Sequence, residues 1–276
     1  MERFKSDLFI FVREFLQVFM DFIFYLLPQQ RPSKDALAAA KIVAHRGWHN
    51  NNDIKENTLE AFQLALDHKL WGIEFDIRWT KDLVPMVHHD PSLERVWEYE
   101  RDICNMSFNE LRAICPQIPS LEEVVARFGG KIHLFIEIKD ENFKELARQN
   151  EILSFVLQDL APEIDFHFLG LKQFLLEKFP LYDLSCYFLV ANFNIAEMSK
   201  CAQKWGCAGV MGHYLLCTED LLKRHRGAGQ VVATGFTRTT NCLYREINRD
   251  IEWIFTNHPW NLIKAKVKVK VTEDES

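Results

Sequence analysis

GIEFDI (72–77) puts Ile73, Phe75 and Ile77 on one face of a strand and Glu74 and Asp76 on the other, because side chains alternate along extended backbone. HLFIEIK (133–139) repeats the pattern, with Leu134, Ile136 and Ile138 opposing Phe135, Glu137 and Lys139. The apolar faces call for a layer of helices. The charged faces then point into a barrel near the C-terminal ends of its strands, the end at which sites of that fold sit. Outward from this pair, the chain offers six more apolar runs: KIVAH (41–45), IDFHFL (164–169), DLSCYFLV (183–190), AGVMG (208–212), QVVATGF (230–236) and EWIFT (252–256). Amphipathic stretches such as TLEAFQLALDHKL lie between most of them. The pattern predicts an α/β protein with a parallel sheet, and the count of eight fits a (β/α)8 TIM barrel. A ninth run, VPMVHH (84–89), follows GIEFDI too closely for a parallel crossover, so it reads as the return arm of a hairpin at the barrel mouth.

The 276 residues suit one large domain or two small ones, and a hydrophobic fraction of 48% with 22 Phe excludes global disorder. The net charge of -6 argues against a nucleic-acid partner. Seven Cys with no C-x-x-C pair point away from a disulfide framework or zinc ribbon and toward a reducing, cytoplasmic setting. The expected division is an N-terminal apolar helix and linker (1–40), a barrel (41–264) and a charged tail (265–276). The tail is expected to be solvated, or to add an edge strand through its alternation.

Residues 8–27, LFIFVREFLQVFMDFIFYLL, have the length of a membrane span, but Arg13, Glu14, Gln17 and Asp21 cut a polar stripe through them. Three central charges cost about 2.5–3.5 kcal/mol each on insertion, against a return of about 0.3–0.6 for each large apolar residue. The stripe leaves three readings: a helix lying on a membrane surface, a helix closing one end of the domain or pairing with a partner, or a true span. No polybasic patch is present to attract anionic lipid. PQQRPSKD (28–35) reads as a linker.

Glu74, Asp76 and Glu137 form an oxygen-rich set suited to Mg2+ or Ca2+; the alternative is buried ion pairing with Arg78 and Lys139 on the same faces. His45 ends the first strand and His89 ends the hairpin arm. Two histidines at one mouth suit general base and general acid, although a histidine at a strand end can be merely structural. His88 should point to the face opposite His89, and His133, at the start of its strand, should lie too deep for the site or at the far end of the barrel. Arg46 can fork onto a phosphate with Gly47 allowing close backbone approach, or it can pair with Glu56. GxGxxG, P-loop and GxSxG motifs are absent.

The stretch VAHRGWHNNNDIKENTLEAFQLALDHKLWGIEFDIRWTKDLVPMVHHDPSLERV resembles the glycerophosphodiester phosphodiesterase family, as do IPSLEEVVARF and FIEIK beyond it. HRG, ENT, E-x-D, HD and EIK occur in order at family-like spacing. The resemblance implies a barrel of the phospholipase C-like type, with a divalent cation, Mg2+ or Ca2+, held by Glu74, Asp76 and Glu137. It implies His45 and His89 as the acid-base pair and phosphate contacts from Arg46 and Lys139. The implied reaction converts a glycerophosphodiester into glycerol 3-phosphate and an alcohol. Alternatives are a lysophospholipase D acting on lysophospholipids, for which an apolar N-terminus would suit access to a membrane surface, and a non-catalytic membrane-associated adaptor. The chain departs from the family at Lys55, where proline is usual, in VVATGFTR, which lacks the usual tryptophan, and at Thr256-Asn257, where Thr-Asp is usual.

Overall fold

The computed structural model describes residues 19–271 apart from 21, 25, 172 and 173. Most of the apolar run at 8–27, and the last residues of the tail, lie outside them. Helix α1 (Lys34–Ala39) precedes β1 (Lys41–His45), α2 (Leu59–Asp67), β2 (Gly72–Trp79) and β3 (Pro85–Val87). Three short helices follow, α3 (Glu94–Trp97), α4 (Phe108–Ile114) and α5 (Leu121–Phe128). The chain then alternates through β4 (His133–Ile138), α6 (Leu146–Leu157), β5 (Phe166–Gly170), α7 (Phe174–Lys178), β6 (Tyr187–Val190) and α8 (Ile195–Trp205). It ends with β7 (Gly209–His213), α9 (Glu219–Gly227), β8 (Val231–Gly235), α10 (Thr240–Asn248), β9 (Trp253–Thr256) and α11 (Pro259–Val271).

Eight strands run parallel in the order β1-β2-β4-β5-β6-β7-β8-β9, and β9 pairs back onto β1 with Val43 beside Phe255. This is the (β/α)8 barrel that the strand count called for. Strand β3 is the expected hairpin arm, antiparallel to β2 with Ile77 opposite Val87. Helix starts follow local chemistry. The Thr58 hydroxyl accepts from the Ala61 amide at α2, and Ser107 and Ser120 close capping boxes with Glu110 and Glu123 at α4 and α5.

Two apolar layers hold the barrel. The outer one joins Ile73, Phe75, Ile77, Leu134 and Ile136 to the helices, where Phe62 meets Phe75 and Phe128. The inner one fills the barrel with Val43, Phe135, Leu169, Phe188, Met211, Ala233, Trp253 and Phe255. Gly209 makes room for this filling. A Cβ there would lie 1.8 Å from the Val231 carbonyl oxygen and 2.8 Å from the Phe188 ring.

Two expectations about the ends change. Ser33 caps a helix inside the stretch read as linker, so that Leu37 is buried against the core. The alternating tail forms the end of helix α11 rather than a strand, with Leu262 and Ala265 buried. Among the described residues, no helix is long and apolar enough to cross a membrane. Among the described residues no cysteine is in a disulfide.

The far end of the barrel carries a histidine pair. His133 and His167 meet through Nε2 and Nδ1 at 2.9 Å, and Nδ1 of His133 contacts the Ile164 carbonyl oxygen. Trp71 stacks on His133 at 4.6 Å, and Trp253 packs edge-on to His167 at 5.0 Å. Burial pushes His133 down to about 4 and His167 down to about 3, the latter helped by its histidine neighbour. In the unfolded chain both titrate near ~6.5. Below that pH the unfolded state gains protons that the folded state refuses, so stability drops as pH falls from ~6.5 toward the folded values. Each ring should contribute about 1–2 kcal/mol of loss between pH ~8 and ~5. Urea unfolding across this range should show a shallower dependence for His133→Phe/His167→Phe than for the wild type. Equal slopes would show that the pair carries no such linkage.

Candidate active site

Strand register assembles the mouth. His45 lies beside Glu74 across β1 and β2, and Asp76 lies beside Glu137 across β2 and β4. One ligand oxygen from each of Glu74, Asp76 and Glu137 falls within 4.8 Å of the others. All three side chains are buried. Lys139, just beyond β4, places Nζ 2.8 Å from Asp76 Oδ1 and also donates to Glu137. Arg46 places Nε 3.4 Å from Asp76 Oδ2, while its backbone amide donates to Glu74 Oε2 at 3.1 Å. Arg78, named as a possible counter-charge, turns away to Glu141 and the His89 carbonyl oxygen.

Three buried carboxylates against the two cations Arg46 and Lys139 leave one negative charge in excess. Burial and repulsion from Asp76 and Glu137 raise Glu74 well above the usual carboxylate range. Asp76 is also buried, but the charges of Lys139, Arg46, His89 and His45 hold it far below that range. Glu74 Oε1 is buried with no hydrogen-bond partner among the described residues. Hard oxygen donors, excess negative charge and an unsatisfied oxygen fit a divalent cation.

The histidines differ in their anchors. His45 Nδ1 meets Asn257 Oδ1, and its Nε2 lies 3.6 Å from Glu74. Burial, then neighbouring Arg46, pushes His45 down to about 3. His89 Nδ1 meets the Asp90 carboxylate at 2.6 Å. Strand β3 ends at Val87, so simple alternation does not govern residues 88 and 89. His88 is buried with Nδ1 on the Asp90 carbonyl oxygen, whereas His89 is part-exposed at the mouth.

ENT distributes three tasks over consecutive residues. Glu56 receives Arg46 at 2.9 Å and both terminal nitrogens of Arg95, at 2.6 and 3.1 Å. Asn57 donates to Asp76 Oδ2 at 2.9 Å, and Thr58 caps α2. Arg95 also holds Asp90, so one guanidinium joins the anchor of His89 to the anchor of Arg46. Burial opposes the Glu56 charge, yet Arg95 and Arg46 hold it far below the usual range. The Arg46–Glu56 pair was an explicit sequence alternative. Arg95, Asn57 and the Asn257 contact were not assigned from sequence, although ENT, HDPSLER and Thr-Asn each contained the signal. Gly47 allows close approach as expected, but of helix α2. Its φ is 81°, and a Cβ would lie 2.8 Å from Ala61 Cβ.

A parallel barrel with carboxylates, cations and histidines gathered at the C-terminal ends of its strands defines the class. Residues 45–260 match the Glycerophosphoryl diester phosphodiesterase family, and the chain belongs to it. It is 28% identical over 133 residues to Glycerophosphodiester phosphodiesterase 1 of Bos taurus, covering 41% of this chain and 40% of that protein. It is 32% identical over 110 residues to a glycerophosphodiester phosphodiesterase of Caldanaerobacter subterraneus, covering 36% and 44%. The matched stretch thus spans less than half the length of these relatives. Among solved structures, the fold resembles a glycerophosphodiester phosphodiesterase of Thermotoga maritima with a TM-score of 0.68 at 23% identity, covering 84% of this chain and 98% of that one. An Oleispira antarctica phosphodiesterase, solved with the product sn-glycerol-3-phosphate, gives 0.68 at 20% identity, covering 84% and 99%.

Removing the shared acceptor should be costly, because it strands two guanidinium groups. Glu56→Ala should lower the unfolding free energy by about 3–5 kcal/mol in urea titrations. Arg95→Ala, at a more exposed side chain, should cost less. A Glu56→Ala protein as stable as the wild type would show that the clamp contributes nothing.

Proposed function

We propose that this chain is a metal-dependent phosphodiesterase that cleaves glycerophosphodiesters into glycerol 3-phosphate and an alcohol. The observation that carries the reading is the charge at the mouth. Three buried carboxylates outnumber Arg46 and Lys139, the cations that reach them, and Arg46 is shared with Glu56; a divalent cation would offset that excess and help to receive an anionic phosphodiester. Family membership supports the reaction class, and the Oleispira antarctica complex supports the product. The catalytic unit in this reading runs from Lys41 to Lys264.

Glu74, Asp76 and Glu137 would hold the cation, Mg2+ or Ca2+. When bound, it supplies Lewis-acid neutralisation of phosphoryl oxygens. Arg46 and Lys139 bind the same anionic centre, each oriented by carboxylates behind it. His45 and His89 each have Nδ1 tied back, to Asn257 and Asp90, which leaves Nε2 of each ring for proton transfer. One ring takes the proton of the nucleophile; the other protonates the departing alkoxide, otherwise a poor leaving group. Water can serve as nucleophile, and a neighbouring hydroxyl of the glycerol moiety would gain effective molarity. A barrel kept only as an adaptor has no use for a buried, undercompensated carboxylate cluster, which disfavours that alternative. Exposed Leu215 and Phe236 beside the mouth favour a second reading, the same cleavage of an acyl-bearing lysophospholipid.

Turnover should be measured on a panel of glycerophosphodiesters and lysophospholipids with Mg2+, Ca2+ or chelator. Chelation should abolish it. His45→Ala and His89→Ala should each reduce it by about 10^2–10^4-fold with an unchanged circular dichroism spectrum. Absence of metal-dependent turnover on both substrate classes would sink the enzyme reading. An active variant at either histidine would remove that residue from the acid-base pair.

A further inference from the structure

The mouth has two unlike halves. Strands β1 to β4 bring the charged groups. On the opposite side, Leu215 follows β7 and Phe236 follows β8; they are 39% and 47% exposed. Beside them sits the N-terminal helical segment. Phe24 packs edge-on against Tyr214 with ring centroids 5.3 Å apart and clusters with Cys242, and Met20 packs alongside. The Arg245 guanidinium lies 5.5 Å from the Phe24 ring. With Met20 and Phe24 turned to the barrel, Phe19, Phe22 and Leu26 fall on the outer face at helical spacing, 51%, 58% and 59% exposed. Of the ten exposed large apolar side chains among the described residues, six belong to this rim: these five and Leu27. Such clustering on one face marks an interaction surface rather than scattered exposure.

We infer that this rim docks on a neutral, zwitterionic phospholipid surface and so presents acyl-bearing phosphodiesters to the charged half of the mouth. The substrate part rests on the phosphodiesterase reading; the docking part does not. Two observations choose the occupant. The eighteen residues that precede Phe19 lie outside the described ones; their sequence includes LFIFV (8–12), so the chain adjoining this rim is itself rich in apolar residues. The first forty residues carry five basic and five acidic side chains and the whole chain is at -6, so anionic lipid gains no electrostatic attraction. Adsorption then depends on apolar insertion and is insensitive to salt.

The test is flotation of the full-length protein with phosphatidylcholine vesicles at low and high salt, beside the triple variant Phe19→Ser/Phe22→Ser/Leu26→Ser. Wild type should float equally at both salt levels, and the variant should lose binding by about tenfold or more. Hydrolysis of soluble glycerophosphocholine should be equal in the two proteins, which also reports that the variant is folded. Hydrolysis of lysophosphatidylcholine presented in vesicles should fall with binding. A wild type that does not float, or a variant that floats as well, overturns the docking face whatever the activity. So does a wild type that stays off vesicles and is dimeric by light scattering while the variant is monomeric, since the rim is then a self-association surface. A wild type that floats but cleaves neither substrate leaves the docking face standing and removes the phosphodiesterase reading.

Discussion

Carboxylates buried inside a barrel must be answered by charge or hydrogen bonds, and the upper half of this molecule is arranged around that need. Asp76 shows the requirement most fully. Lys139 takes one oxygen; Asn57 donates to the other, which Arg46 also approaches. These partners come from three segments, so the strand end, the loop after β1 and the start of α2 are held to one another. Glu56 then fixes Arg46, and Arg95 carries the constraint on to Asp90 and His89. Glu74 Oε1 stays buried without a hydrogen-bond partner among the described residues.

The strands were legible because β2 and β4 each combine an apolar and a charged face, and period two is a strong signal when both faces have jobs. That pattern put Glu74, Asp76 and Glu137 on inward faces. It did not contain the register that sets Asp76 beside Glu137, since relative strand shift is decided by packing. Strand β3 ends at Val87, and beyond it Asp90 anchors both histidines, with His88 buried and His89 part-exposed. Alternation failed in KVKVKV. There Pro259 opens a helix, buried Leu262 and Ala265 tie it to the barrel, and the helical backbone continues through the alternating residues. Arg95 was illegible for another reason. Its acceptors, Glu56 and Asp90, lie in separate loops, and only the closed barrel brings them within one guanidinium's reach.

The division of the mouth follows from the same topology. The ion network uses the loops after β1 and β3, inward residues of β2 and the end of β4, and it leaves the loops after β7 and β8 free of that duty. Those later loops carry aromatic and aliphatic side chains instead, and the N-terminal segment rests on them through Phe24 and Tyr214. From there the chain descends outside the barrel. The Gln30 carbonyl oxygen accepts from Asn248 at the end of α10, before α1 packs below.

Trp71 stacks on both His133 and Trp253, and Trp253 meets His167 edge-on, so four rings plug the lower end of the barrel. They lie beneath the packed interior of the barrel, so the carboxylate cluster faces solvent on the side of His45 and His89, which are both part-exposed.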